Sequence, residues 1–316
     1  MRWTKLGQIF TFDESPFTDR FISHAQSPQA LVFGDFVRIY FSTRKKEEGN
    51  FVSHVQYIDF TKDFKKIIDY SKHEVVSLGG LGCFDEHGIF PFNPINVGDK
   101  IYGYTSGWTR RKSVSIDSGI GLVISEDNGE IFKRIGNGPV LTSSLFEPFL
   151  VIDGFVKVFN NTFYMFYIFG KKWCEPTDKH DSERVYKIGY ATSRDGINWT
   201  KANRSIIEDK IDENECQALP TVIKIGSRYH MCFSYRSMIG FRENISNAYR
   251  LGYAYSEDLI TWTRDDSKID LTRENNAWDS SMMCYPNIFE MDDEIYLLYN
   301  GNEFGKNGFG LAKLDK

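Results

Sequence analysis

The sequence predicts an all-β fold, a five-bladed β-propeller of four-stranded blades, and three observations predict it. A phrase ending in an aromatic residue recurs at a near-constant period. Five polar turns are each flanked by short alternating strands. The first residues of the chain supply the end of a phrase that its last residues leave unfinished.

The recurring phrase is clearest in SRDGINW (193–199) and SEDLITW (256–262), preceded by the strand-like runs KIGYAT and RLGYAY. GLVISEDNGEIF (121–132) repeats it with Phe132 in the aromatic slot, and VQYIDFTKDF (55–64) is a weaker copy ending in Phe64. The slots Phe64, Phe132, Trp199 and Trp262 are 68, 67 and 63 residues apart. Before each slot stands a pair of β-branched and aromatic runs around a polar turn, at Gly34-Asp35, Gly98-Asp99, Asn160-Asn161 and Gly226-Ser227; a fifth turn lies at Asp292-Asp293. Such runs suit hairpin strands. The fifth unit stops after its third strand, GFGLAKL, and the N-terminal RWTKLG holds the missing slot at Trp3. Residues 1–10 are therefore expected to complete the last blade and close the ring, in one domain spanning 1–316. A β-sandwich is the competing architecture, but it gives no reason for the wrapped WTK.

Composition narrows the function. The chain has 316 residues, a net charge of -5 and no basic block, which argues against nucleic acid or an anionic membrane surface as partner. No apolar run approaches the roughly 20 residues of a membrane span, and the N-terminus lacks a signal-like apolar core, so a cytoplasmic location is expected. Five scattered cysteines without a CxxC pair, and histidines without ligand spacing, predict neither disulfides nor a metal site. LGGLG (78–82) and GNEFGKNGFG (301–310) do not meet the phosphate-loop pattern, and no cofactor is expected.

Propeller geometry locates the candidate site. Residues just before the first strand and just after the second strand of every blade share the face that holds the funnel mouth. Thirteen positions before each turn lie Asp85, Glu147, Glu213 and Asp279, with Phe21 and nearby Asp19 in blade one; Glu215 follows two residues after Glu213. Carboxylates in a funnel suit glycosidic cleavage, as acid, base or nucleophile, while aromatic faces and Arg or Asn groups hold the sugar. His24, His87, Trp108, Arg236, Arg250, Trp278 and Asn302 are the expected sugar-binding groups.

The five-bladed organisation, the SRDGINW-type blade endings and the acids at the blade approaches resemble the five-bladed-propeller glycoside hydrolases of families 32, 43, 68, 117 and 130. Glu215-Cys216 resembles the Glu-Cys pair of family 32. Residues 278–312 resemble the ending of glycosidase-like proteins encoded with bacterial surface-polysaccharide genes. The chain departs from these patterns at Ser27-Pro28, where family 43 has Asp-Pro, and it lacks the WMNDPNG opening of family 32. The resemblance implies a carbohydrate-active enzyme that cleaves or transfers a glycosyl unit, with Glu215 as the expected general acid, Asp85 as base or nucleophile, and Glu147 and Asp279 orienting sugar hydroxyls or tuning pKa values. Two alternatives stand beside it: a non-catalytic sugar-binding propeller, and a phosphorylase or transferase acting on a phosphorylated or nucleotide-activated sugar. Two carboxylates about 5–10 Å apart across a cavity favour glycosidic catalysis, whereas acids each tied to an Arg favour the binding module.

Overall fold

A computed structural model of the chain describes residues 1–47, 49–176 and 182–315. Its strands form five antiparallel four-stranded sheets. Blade one contains β2 (Ser23–Val32), β3 (Phe36–Glu47), β4 (Asn50–Thr61) and β5 (Ile67–Tyr70), and β1 (Trp3–Thr11) precedes it. Blade two has β6 (Ile89–Val97), β7 (Lys100–Arg110), β8 (Ile116–Ser125) and β9 (Lys133–Arg134). Blade three has β10 (Phe149–Phe159), β11 (Thr162–Trp173), β12 (Arg184–Ser193) and β13 (Thr200–Lys201). Blade four has β14 (Cys216–Ile225), β15 (Arg228–Arg236), β16 (Arg250–Ser256) and β17 (Thr263–Arg264). Blade five has β18 (Cys284–Met291), β19 (Glu294–Asn300) and β20 (Gly308–Leu314). As the wrapped phrase predicts, β1 pairs antiparallel with β20, from Trp3 opposite Leu314 to Thr11 opposite Gly308, and supplies the fourth strand of blade five.

The recurring phrase has a local cause. In SRDGINW, Ser193 Oγ donates to Asp195 Oδ1 at 2.9 Å, and that oxygen accepts the backbone N–H groups of Ile197 and Asn198. Ser256 and Asp258 repeat the arrangement in SEDLITW. The side chains thus satisfy the turn's backbone donors and hold the chain in its reversal. Trp262 is then buried between blades, edge-on to Phe166 of blade three, so the aromatic slot serves packing.

Each first strand breaks register, β2 and β10 twice, and one break in every blade falls at a corresponding place: Gln26/Gln29, Ile89/Phe92, Ile152/Phe155, Ala218/Thr221 and Cys284/Asn287. Pro28, Pro91, Pro220 and Pro286 sit within four of these bulges, and Asp153-Gly154 occupies the fifth. A bulge kinks the strand and re-aims its side chains. Here, all five do so around the central channel.

The blades are stitched together at these bulges. Ser106 Oγ accepts the N–H of Asp153, Ser234 Oγ that of Tyr285, and Asn300 Oδ1 that of Ser27, each from the second strand of one blade to the first strand of the next. In blade three the corresponding second-strand position is Ile168, which offers no acceptor. Asp153 Oδ2 takes over, accepting the N–H of Leu219 at 3.1 Å.

Candidate active site

A funnel of about 410 Å³ opens at the bulge end of the first strands. Among its lining residues are Gln26, Phe90, Trp108, Asp153, Tyr186, Tyr249 and Tyr285, together with five arginines: Arg44, Arg110, Arg184, Arg236 and Arg242. Gln29 closes the channel beneath it by accepting from Asn93 at 3.2 Å and Asn287 at 3.0 Å. Beyond that polar plug a second cavity, about 690 Å³, opens at the turn end of the same strands. It is larger, but its lining holds no guanidinium among the described residues.

Asp153 is the one carboxylate of the funnel lining among the described residues. It is 6% exposed, and burial raises its pKa to about 7, against the Leu219 N–H bond and the Arg184 charge, which pull it down. Its Oδ1 has no protein partner among the described residues. A carboxyl group that holds its proton near neutrality while lining a cavity is suited to general-acid work.

The expectation that Asp85, Glu147, Glu215 and Asp279 face the funnel is corrected by the structure. All four are buried in the crossover segments that lead into their blades, and each is closed over by a cation from the outer strand of its own blade. Asp85 pairs with Arg134, Glu147 with Lys201 at 2.7 Å, Glu215 with Arg264 at 2.6 Å, and Asp279 with Lys5 at 2.6 Å. Every one of these cations stands two residues after an aromatic slot: Phe132, Trp199, Trp262 and Trp3. Glu215 also accepts the Lys210 and Ile211 N–H groups and the Gln217 amide, so all its acceptor directions are filled. Glu213 is exposed, as is Asp19, and blade one has no such pair among the described residues. The crossover passes over the end of the blade it is about to join, within reach of the outer strand, and this displaces the acids from the funnel.

Of the expected binding residues, the structure brings His87, Trp108 and Arg236 to the funnel. His24 lies outside the funnel lining, bonded to Ser23, and burial, then Arg44 and Lys306, lower its pKa to about 3. Arg250 donates to the Ser246 carbonyl and lies over Tyr235. Trp278 packs on Tyr299, ring centroids 5.0 Å apart, and against Gly301 and Gly310. Asn302 caps its own loop through the backbone of Ser281 and the Ala277 carbonyl. Sequence reasoning missed Asp153, although a signal existed. Seven positions before the five turns lie Ser27, Pro91, Asp153, Leu219 and Tyr285, and only one of these is an acid.

The rest of the lining suits a sugar between aromatic walls and cations. Phe90 stands 5.4 Å from Tyr285 and 6.0 Å from Trp108, ring centre to ring centre. Arg44 donates to Gln26 at 3.2 Å, and Arg242 pairs with Glu183 at 3.1 Å on the rim. Among the described residues, Arg44, Arg110, Arg184 and Arg236 have no carboxylate partner.

Comparison with known proteins places the chain. The family model for glycoside hydrolase family 130, described as beta-1,4-mannooligosaccharide phosphorylase, matches residues 151–309, a span that begins two residues before Asp153. The chain is 33% identical over 318 residues to "Uncharacterized protein Rv1502" of Mycobacterium tuberculosis (strain ATCC 25618 / H37Rv), covering 100% of both proteins. It is 31% identical over 88 residues to the "1,2-beta-oligomannan phosphorylase" of Thermoanaerobacter sp. (strain X514), covering 27% of this chain and 28% of that one. In fold it is similar to a solved structure described as a glycoside hydrolase, with a TM-score of 0.73 at 14% identity over 99% of this chain and 93% of that one. A thermostable family-43 glycoside hydrolase gives a TM-score of 0.65 at 16% identity over 97% and 93%. The chain belongs to glycoside hydrolase family 130 and is a glycosidase-like enzyme.

Proposed function

We propose that the protein is a glycoside phosphorylase, with Asp153 as general acid and inorganic phosphate as nucleophile. One observation carries this reading: among the described residues the funnel presents a single carboxylate, with a pKa of about 7, to a ring of five arginines. Hydrolysis with inversion needs a second carboxylate to activate water, and hydrolysis with retention needs one as nucleophile. Phosphate is already a nucleophile. It needs a general acid for the departing oxygen and positive charge to hold its own, which one or two guanidiniums of the ring suffice to supply with paired N–H donors.

The step balances without further partners. A phosphate oxygen bonds to the anomeric carbon as the glycosidic C–O bond breaks, and the Asp153 proton passes to the departing oxygen. The proton of hydrogen phosphate then restores Asp153. Phe90, Trp108 and Tyr285 supply apolar faces for the sugar ring. The names of the family and of the Thermoanaerobacter relative support a β-mannoside as the first substrate to test.

The test is incubation of the purified protein with β-1,2- and β-1,4-linked mannosides, with and without phosphate. Phosphate-dependent formation of mannose 1-phosphate is expected. Release of free mannose at the same rate without phosphate would replace phosphorolysis with hydrolysis.

A further inference from the structure

Blade one touches blades two and five in the ring, whereas Asp153 stands on blade three. In a displacement with inversion, nucleophile and general acid lie on opposite sides of the sugar. On the phosphorolytic reading, phosphate is therefore assigned to Arg44 on blade one, with Arg110 of blade two beside it against Phe51. Arg184 on blade three and Arg236 on blade four remain on the side of the acid.

These two arginines make no ion pair among the described residues, although the Arg184 charge reaches Asp153. Arg236 is 2% exposed, yet its Nη1 donates only to the Ser237 and Met238 carbonyls, at 2.8 and 3.0 Å, and its Nε has no partner among the described residues. Its guanidinium lies 3.5 Å from the Phe241 ring centre and 5.4 Å from that of Tyr186, two residues along β12 from Arg184. Arg184 rests over Trp173 and makes no ion pair among the described residues. A guanidinium withdrawn from water without an anion is costly, and the cost is relieved when an anion arrives in the cavity that it lines. One phosphate does not neutralise both walls.

We infer that Arg184 and Arg236 form a second anion subsite, which receives an acidic group on the departing sugar. The substrate class is thus a glycoside whose leaving sugar bears a carboxylate or a phosphate ester near the scissile oxygen. This rests on the phosphorolytic reading, and it adds what leaves: an acidic sugar bearing a new hydroxyl, beside a glycosyl phosphate. The bonds made and broken are those given above.

Calorimetric titration tests the subsite without turnover. The probes are glucuronate, glucose 6-phosphate, glucose and inorganic phosphate, applied to wild type, Arg184→Gln, Arg236→Lys and Arg44→Gln. At least one acidic sugar should bind about tenfold or more tightly than glucose, and Arg184→Gln and Arg236→Lys should each remove most of that difference. Phosphate affinity should change by less than about threefold in those two variants and should fall in Arg44→Gln. Preference for glucuronate or for glucose 6-phosphate identifies the acidic group. Equal binding of acidic and neutral sugars overturns the inference, as does an equal loss of phosphate affinity in Arg184→Gln. Should Arg236→Lys fail to fold, the less buried Arg184 decides alone. Acidic-sugar binding without phosphorolysis of any glycoside would instead remove the proposed reaction and leave the subsite standing.

Discussion

Lys5 Nζ lies 2.6 Å from Asp279 Oδ2, joining residues 274 positions apart and locking the first strand onto the last blade. Asp279 is 1% exposed, so removing the lysine strands a buried carboxylate. Lys5→Ala should cost about 3–5 kcal/mol, a fall in Tm of at least about 6 °C, whereas the double replacement Lys5→Met, Asp279→Asn should recover most of it. Thermal melts check this, and a single variant that melts like wild type would contradict the clasp.

Glu215 belongs to the same set of clasps. Glu215→Gln should lower Tm through Arg264, yet leave kcat of the folded protein within about threefold, far from the 10²–10⁴-fold loss typical of a missing general acid. Steady-state rates corrected for folded fraction separate the two roles. A loss of about a hundredfold or more would return Glu215 to the chemistry.

Repetition made the fold legible, because each blade writes the same turn, aromatic slot and cation into the chain. The same repetition misdirected the site. Acids in register, such as Glu147 and Asp279, recur because every blade needs the same clasp, and a structural requirement repeats as faithfully as the fold itself. Chemistry breaks the repeat. Asp153 stands where the other blades have Ser27, Phe90 or Pro91, Leu219 and Tyr285, and it bonds to Leu219 because Ile168 replaces the serine or asparagine of the other blades. Arg184 and Arg242 stayed hidden for another reason: they come from a third strand and a loop, which no period counts.

The Leu219 bond makes Asp153 adjustable. Ile168→Ser restores the acceptor used in blades two and four, and should draw the Leu219 N–H away from Asp153. That bond lowers the Asp153 pKa, so its loss raises it. Wild-type kcat/KM should fall above pH about 7 as the acid loses its proton, and in Ile168→Ser the fall should move to higher pH. A pH profile with the limb unmoved, in a variant that folds, would contradict the assignment.

His24 gives stability a pH dependence of its own. Its folded pKa, about 3, lies below the ordinary value of 6.5, so its contribution is complete above pH 6.5 and declines as the unfolded chain takes up the proton first. The loss reaches at most about 1.4 kcal/mol per pH unit between pH 6.5 and 4. Asp153 acts oppositely, favouring the fold at low pH and losing that contribution as pH rises through about 7. Comparing urea midpoints of His24→Gln and wild type isolates the histidine: the variant should show the shallower decline below pH 6.5. Parallel curves would contradict the burial of a neutral His24.

Asp153→Asn is the most direct test of the account. It keeps the shape of the side chain and removes the proton that leaves with the departing oxygen. With phosphate and a glycoside of ordinary sugar leaving group, turnover should fall by about 10²–10⁴-fold. With a dinitrophenyl glycoside, whose leaving group needs no proton, it should stay within about tenfold of wild type. Equal losses on both substrates, or full activity on the first, would contradict Asp153 as the general acid.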